Sequence, residues 1–140
     1  MAKKAVLPRV HAMVLCDEIE PGAEEGVIDL LGVRSAIQVE SYPYVHPQLC
    51  VYLQVTGHEG RASGRITIVA PGNDERLLDT PEQEIEFRGP LAVIPIDFRI
   101  ADCEFSTPGV YYVQAYFEEK LVCERLLILS EGEMLSNGRE

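Results

Sequence analysis

The clearest pattern in the chain is an alternation within residues 105–129. After a Pro108-Gly109 turn signal, Tyr111, Val113, Ala115 and Phe117 alternate with Val110, Tyr112, Gln114 and Tyr116, a period of two. Glu118, Glu119 and Lys120 then lead into a second apolar run over residues 121–129, and the pair of runs predicts a long β-hairpin. A hairpin alone is marginal in water, so other strands must bury one of its faces, and the alternation does not say which. Leu121, Val122, Arg125, Leu126 and Leu129 also fit a helical stripe, but the short connection and the period of two upstream favour a strand. That strand places Arg125 among Leu121, Leu127 and Leu129, so a bulge near Glu124 is expected.

The same period runs through the rest of the chain. Residues 10–16 form an apolar run of strand length, and residues 17–25 hold five acids around Pro21-Gly22, an acidic turn. Val27, Leu31, Val33, Ile37 and Val39 read as the buried face of a long second strand that bends or spans a corner of the sandwich, with Gly32 a bulge or close backbone approach. Residues 41–47 read as a loop, because neither Pro43 nor Pro47 suits a central strand. Leu49, Val51, Leu53 and Val55 alternate with Cys50, Tyr52, Gln54 and Thr56, and the glycine-rich residues 57–64 are expected to turn this strand into a hairpin with Ile66, Ile68 and Ala70. Residues 71–74 form a turn, and residues 75–79 are either a short strand or irregular. Ile85 and Phe87 alternate with Glu82, Glu84 and Glu86, which fits a charge-protected edge strand. Ala92, Ile94, Ile96, Phe98 and Ile100 alternate with Pro95, Asp97 and Arg99, and Pro95 marks another edge.

Eight or nine strands with no convincing helix predict an all-β fold, an antiparallel immunoglobulin-like β-sandwich without the antibody-type disulfide. The expected organisation is an N-terminal extension over residues 1–9, one sandwich domain over 10–129 and a polar tail over 130–140. Met134 and Leu135 in that tail are candidate anchors for a neighbouring subunit, and hence for a homo-oligomer.

The chain's 140 residues suffice for one domain with a substantial core. Cys16, Cys50, Cys103 and Cys123 show neither zinc-site nor dense disulfide spacing, and Pro8 and Arg9 interrupt the first apolar run before signal-peptide length. With no stretch of membrane-spanning length, the expectation is a cytoplasmic protein with four free thiols and no membrane partner. The net charge of −11, from 23 acids against 12 bases, argues against a nucleic-acid partner, whose phosphates demand a basic stripe.

Several short segments carry a resemblance. Leu15-Cys16-Asp17, Leu30-Leu31-Gly32-Val33, Tyr44-Val45-His46-Pro47, Pro108-Gly109-Val110-Tyr111 and Cys123-Glu124-Arg125-Leu126-Leu127 together resemble a family of small uncharacterised bacterial proteins, a domain of unknown function. The resemblance covers about residues 10–129 and implies a bacterial source and a single sandwich domain. It supplies no catalytic residue.

No nucleophile elbow or His-Glu-x-x-His motif is present. Gly60-Arg61-Ala62-Ser63-Gly64-Arg65 lacks the following helix that a phosphate-binding loop needs. Cys16 beside Asp17, with His11 on the same strand, reads as a structural cysteine, because a neighbouring carboxylate raises a thiol pKa. Asp17, Glu18, Glu20, Glu24 and Glu25 are the alternative calcium ligands, though their spacing matches no calcium loop; the histidines and cysteines are too scattered for zinc. Tyr42, Tyr44 and His46, in a segment restricted by Pro43 and Pro47, are the first candidates for partner contact, and Tyr112 and Tyr116 would extend that patch. The tyrosines of the 41–47 segment either face a partner or fold back to cap the core. The functional expectation is a non-enzymatic interaction or structural module with a protein partner and no cofactor; the alternative is a calcium-dependent or small-ligand-binding sandwich.

Overall fold

The computed structural model describes residues 7–72 and 75–132, and the expected subunit anchors Met134 and Leu135 lie outside them. In chain order the strands are β1 (Arg9–Cys16), β2 (Glu18–Pro21), β3 (Ile28–Leu31), β4 (Ala36–Val39), β5 (Tyr44–Thr56) and β6 (Glu59–Val69). They continue with β7 (Arg76–Asp79), β8 (Gln83–Arg88), β9 (Ile94–Phe105), β10 (Gly109–Phe117) and β11 (Lys120–Glu131). One sheet has the order β1-β5-β9, and the other β4-β11-β10-β6-β7 with β8 continuing β7's edge along β6. The inner faces of both contribute to one core, which includes Leu49, Val51, Leu53 and Val55 from the first sheet and Ile66, Ile68, Val113, Phe117, Leu127 and Leu129 from the second.

This is the immunoglobulin-like arrangement. β4 runs parallel to β11, while the other strand pairs among the described residues are antiparallel. At the corner leading into β10, the Tyr111 hydroxyl donates to the Thr107 carbonyl oxygen at 2.7 Å, the tyrosine corner of such sandwiches. Two residues further on, where antibody domains carry a disulfide cysteine, stands the buried Val113.

The terminal hairpin forms as the alternation predicts. Tyr111, Val113, Ala115 and Phe117 face the core, and Glu118 and Glu119 make the turn at φ of 50° and 65°, as a two-residue turn with both positions left-handed requires. The helical alternative for residues 121–129 is excluded. The bulge lies two positions before Glu124: Ala115 pairs with Cys123 and Tyr116 with Leu121, which leaves Val122 unpaired. Arg125 does share the inner side of β11, and its Nε reaches across to donate to the Met13 carbonyl oxygen at 3.1 Å, so the guanidinium bridges the two sheets at their rim.

Several local expectations are corrected. There are eleven strands among the described residues, because the acidic segment is not a simple turn: β2 and β3 pair as a ribbon over the outside of the first sheet, where Ile19 and Leu30 pack with Cys16, Cys50 and Tyr52. The long second strand is two short ones. Gly32, at φ 68°, breaks it, leaving Val27, Leu31 and Val33 exposed and only Ile37 and Val39 buried. Residues 44–47 belong to β5, despite Pro47. Pro47 lies beyond the end of the β1 pairing, at a point where the β5–β9 register also skips it and Asp102, so its missing N–H costs no ladder bond.

The glycine-rich residues 59–64 are strand, not loop, and β5 and β6 lie in different sheets rather than forming a hairpin. Gly64 fits there because the Phe117 ring lies over it; a Cβ would stand 2.9 Å from Phe117 Cε2. Residues 76–79 settle as strand, β8 is an edge as expected, and so is β9. The turn after Pro71-Gly72 closes with Ala70 N–H donating to the Glu75 carbonyl at 2.7 Å, and Asn73 and Asp74 lie outside the described residues.

Candidate functional site

The segments nominated for partner contact converge, but inward. The register skip at Pro47 and Asp102 turns Tyr44 and His46 onto the same side as the buried Cys103 and Phe105. His46 is 4% exposed, and both ring nitrogens are engaged: Nδ1 lies 2.8 Å from the Tyr44 hydroxyl and Nε2 lies 2.8 Å from Asp17 Oδ1. Arg34 Nε donates to the same Asp17 oxygen at 2.7 Å. The Asp17 carbonyl accepts from Gln48 Nε2 at 3.1 Å, and Arg34 N–H donates to the Leu15 carbonyl at 2.8 Å.

Gly32 completes this arrangement, because a Cβ there would stand 2.5 Å from Asp17 Oδ2. Arg34's hydrogen bond foremost, then that of His46, holds the Asp17 carboxyl below its usual range against the opposing effect of burial. Tyr42 also turns in: its ring packs against the core and its hydroxyl donates to the Ser130 carbonyl at 3.0 Å. The two tyrosines therefore cap the sandwich, the second of the two expected arrangements.

On the outer face of the hairpin, Tyr116 lies under the Arg65 guanidinium, 4.5 Å from its ring centroid, and donates to Gln114 Oε1 at 3.3 Å. Arg65 is itself held by Glu119 at 3.1 Å, and Gln114 donates to Glu124 at 3.0 Å. Tyr112 is half-buried, between Leu126 and Val69 in the register. Much of this face is thus already satisfied by its own contacts.

The alternative calcium ligands do not assemble. Asp17 is spent on Arg34 and His46, Glu18 and Glu20 lie along β2, and no three His, Cys, Asp or Glu side chains among the described residues form a group able to hold a metal ion. The His11 ring, the base the sequence offered Cys16, is bonded instead to Thr56 Oγ1 at 2.6 Å. Burial first, then Cys50 and Asp17, push the Cys16 thiol up to about 11.

What stands open is the edge of β9. In an antiparallel strand, alternate residues turn both backbone polar groups to the same side. The Asp97 carbonyl accepts from the Gln83 side chain at 3.1 Å and so faces away from β5. Pro95, Arg99 and Ala101 share its phase in the unbroken register over residues 94–101. This explains how β9 tolerates Pro95, whose absent N–H falls on the unpaired side. Beside this edge runs a cleft of about 420 Å³, lined by the apolar Leu78, Phe98, Ile100 and Ala101 together with Arg99 and with Asp79 and Glu82, which are paired with Arg65 and Arg76. The cleft gave no local signal in sequence, because β7 and β9 are distant in the chain. Pro95 is the one residue that pointed to the edge. Arg34 was likewise missed, sitting in a segment read as buried strand.

Sheet order and tyrosine corner define an immunoglobulin-like sandwich domain, and the comparison with family models says which kind. The model of the Family of unknown function (DUF6941) matches residues 11–129, and the chain belongs to that family. No curated protein matches. Among solved structures, the chain is similar to the Pseudomonas fluorescens alkylpurine DNA glycosylase AlkC bound to DNA containing an abasic site analogue, at 6% identity and a TM-score of 0.51, over 88% of this chain and 30% of that one. It thus spans about a third of the glycosylase's length, and the likeness concerns the fold. An immunoglobulin-like protein from Pseudomonas aeruginosa matches at 10% identity and a TM-score of 0.43, over 91% of this chain and 99% of that one. No helix among the described residues is long and apolar enough to cross a membrane.

Proposed function

We propose that this domain is a non-enzymatic interaction module of the bacterial cytoplasm that takes up an extended segment of a protein partner along β9. The observation that carries this reading is the open β9 edge beside an apolar cleft, where the backbone groups of Arg99 and Ala101 face away from the sheet. A strand added there gains main-chain hydrogen bonds for affinity and seats alternate side chains in the cleft for specificity. The net charge of −11 favours a segment that alternates apolar with basic residues. The same acidity disfavours DNA, so the glycosylase's ligand is not carried over to this chain.

Selection from a displayed library of random decapeptides tests the reading. Recovered peptides should share an apolar-basic alternation and bind Ala101→Ser as well as the native protein. Ala101→Pro, which removes an N–H on the unpaired side and no ladder bond to β5, should lose them while its melting temperature stays near that of Ala101→Ser. A library that yields no binder, or binders indifferent to Ala101→Pro, would contradict the proposal.

A further inference from the structure

Asp17, Arg34, Tyr44, His46 and Gln48 line a second, open cleft of about 500 Å³, at one end of the sandwich and away from the β9 cleft. The hydrogen-bond directions in it follow from chemistry. His46 Nε2 faces a carboxylate oxygen, which can only accept, so Nε2 carries a hydrogen. In the neutral ring Nδ1 is then an acceptor, and the Tyr44 hydroxyl fills it, spending its hydrogen inward. Protonation at Nδ1 reverses that bond: the ring donates to Tyr44, and the hydroxyl hydrogen is released towards the cleft. One proton thus adds a positive charge and turns Tyr44 from a donor to the ring into an acceptor from it, which frees its own hydrogen for another partner.

Arg34 adds a second donor group. Its Nε is tied to Asp17, which fixes the guanidinium plane, and among the described residues neither of its terminal amino groups has a hydrogen-bond partner. Two such amino groups, side by side, match the two oxygens of a carboxylate. A doubly charged phosphate would meet stronger repulsion from Asp17 and from Glu18, which also borders the cleft. Among the described residues, the titratable and charged groups around His46 are Asp17 from the β1–β2 junction, Arg34 from the β3–β4 link on the same Asp17 oxygen, Tyr44 on its own strand and Cys103 opposite it on β9. None competes with Tyr44 for the added proton's hydrogen bond.

We propose that this cleft binds a small carboxylate through the Arg34 amino groups and the Tyr44 hydroxyl, with uptake of one proton by His46. Linkage makes the effect reciprocal: proton uptake and anion binding favour each other, so affinity rises as pH falls.

The test is a titration with sodium acetate, and in parallel with inorganic phosphate, followed by the ring nitrogen resonances of His46 and the Nε resonance of Arg34. Acetate should saturate both shifts, with Kd weakening by up to about tenfold per unit of rising pH, the limit for uptake of one proton. Tyr44→Phe, which keeps the ring and loses the hydroxyl, should flatten that pH dependence. Arg34→Gln should abolish saturation while the amide spectrum remains that of the folded sandwich. Four outcomes would overturn the proposal: no saturable shift at the acid end, phosphate binding more tightly than acetate, a Kd independent of pH, or unchanged binding in both variants.

Discussion

Nε2 of His46 lies 2.8 Å from Oδ1 of Asp17, across 29 residues of sequence, and this contact ties the start of β5 to the end of β1. The partner-contact expectation for the 41–47 segment gives way at this point. A histidine 4% exposed and bonded at both nitrogens is fixed within the protein, and Tyr44 is fixed with it. Replacing both Tyr42 and Tyr44 by Ala should therefore destabilise the domain by about 3 kcal/mol or more, as large-to-small aromatic changes in cores do. A thermal or denaturant melt checks this, and a change below about 0.5 kcal/mol, the range of exposed positions, would return both rings to the surface.

Asp17 should give the domain an acid-sensitive end. Its carboxyl is held below the usual range, so it contributes stability that is fully present above the unfolded-state value, near 4, and is lost as pH falls through the lower folded-state value. Asp17→Asn should be less stable at neutral pH and should lose less stability on acidification. Urea melts between neutral pH and the acid limb measure both, and parallel pH profiles for the two proteins would refute the assignment.

The thiols should be free and slow to react. Cys16, Cys50 and Cys103 are buried, and burial pushes Cys16 and Cys103 up to about 11, so little thiolate exists at neutral pH. Alkylation without reductant should label all four cysteines in the denatured protein. In the native protein only Cys123, the half-exposed one, should react quickly. Fewer than four labels after denaturation would place a disulfide where free thiols stand.

How far sequence reaches into this fold depends on how local the cause is. The inward face of β10 follows from the alternation of Tyr111, Val113, Ala115 and Phe117, because a period of two suffices to sort faces once a core exists. The β9 edge was legible in Pro95 for an equally local reason, a missing donor. Residues 27–39 misled because their apolar positions keep a strand's parity across Gly32, while the left-handed backbone there ends the strand. The Asp17 cluster was legible only in pieces. Its members stand 17 to 31 residues away from Asp17, and nothing near Arg34 announces the carboxylate it will meet. Tyr44 and His46 stood out in sequence as partner-contact candidates because Pro43 and Pro47 restrict their segment, whereas their order comes from Asp17.

Amide hydrogen exchange of Arg99 and Ala101, with and without a bound peptide from the display selection, tests strand addition most directly. Both N–H groups lie on the unpaired side of β9. In the free protein they should exchange much faster than Phe98 and Ile100, whose backbone groups face β5. On binding they should slow strongly, with little change at Phe98 and Ile100. Exchange at Arg99 and Ala101 that is already slow in the free protein, or unaltered by a tightly bound peptide, would contradict the account.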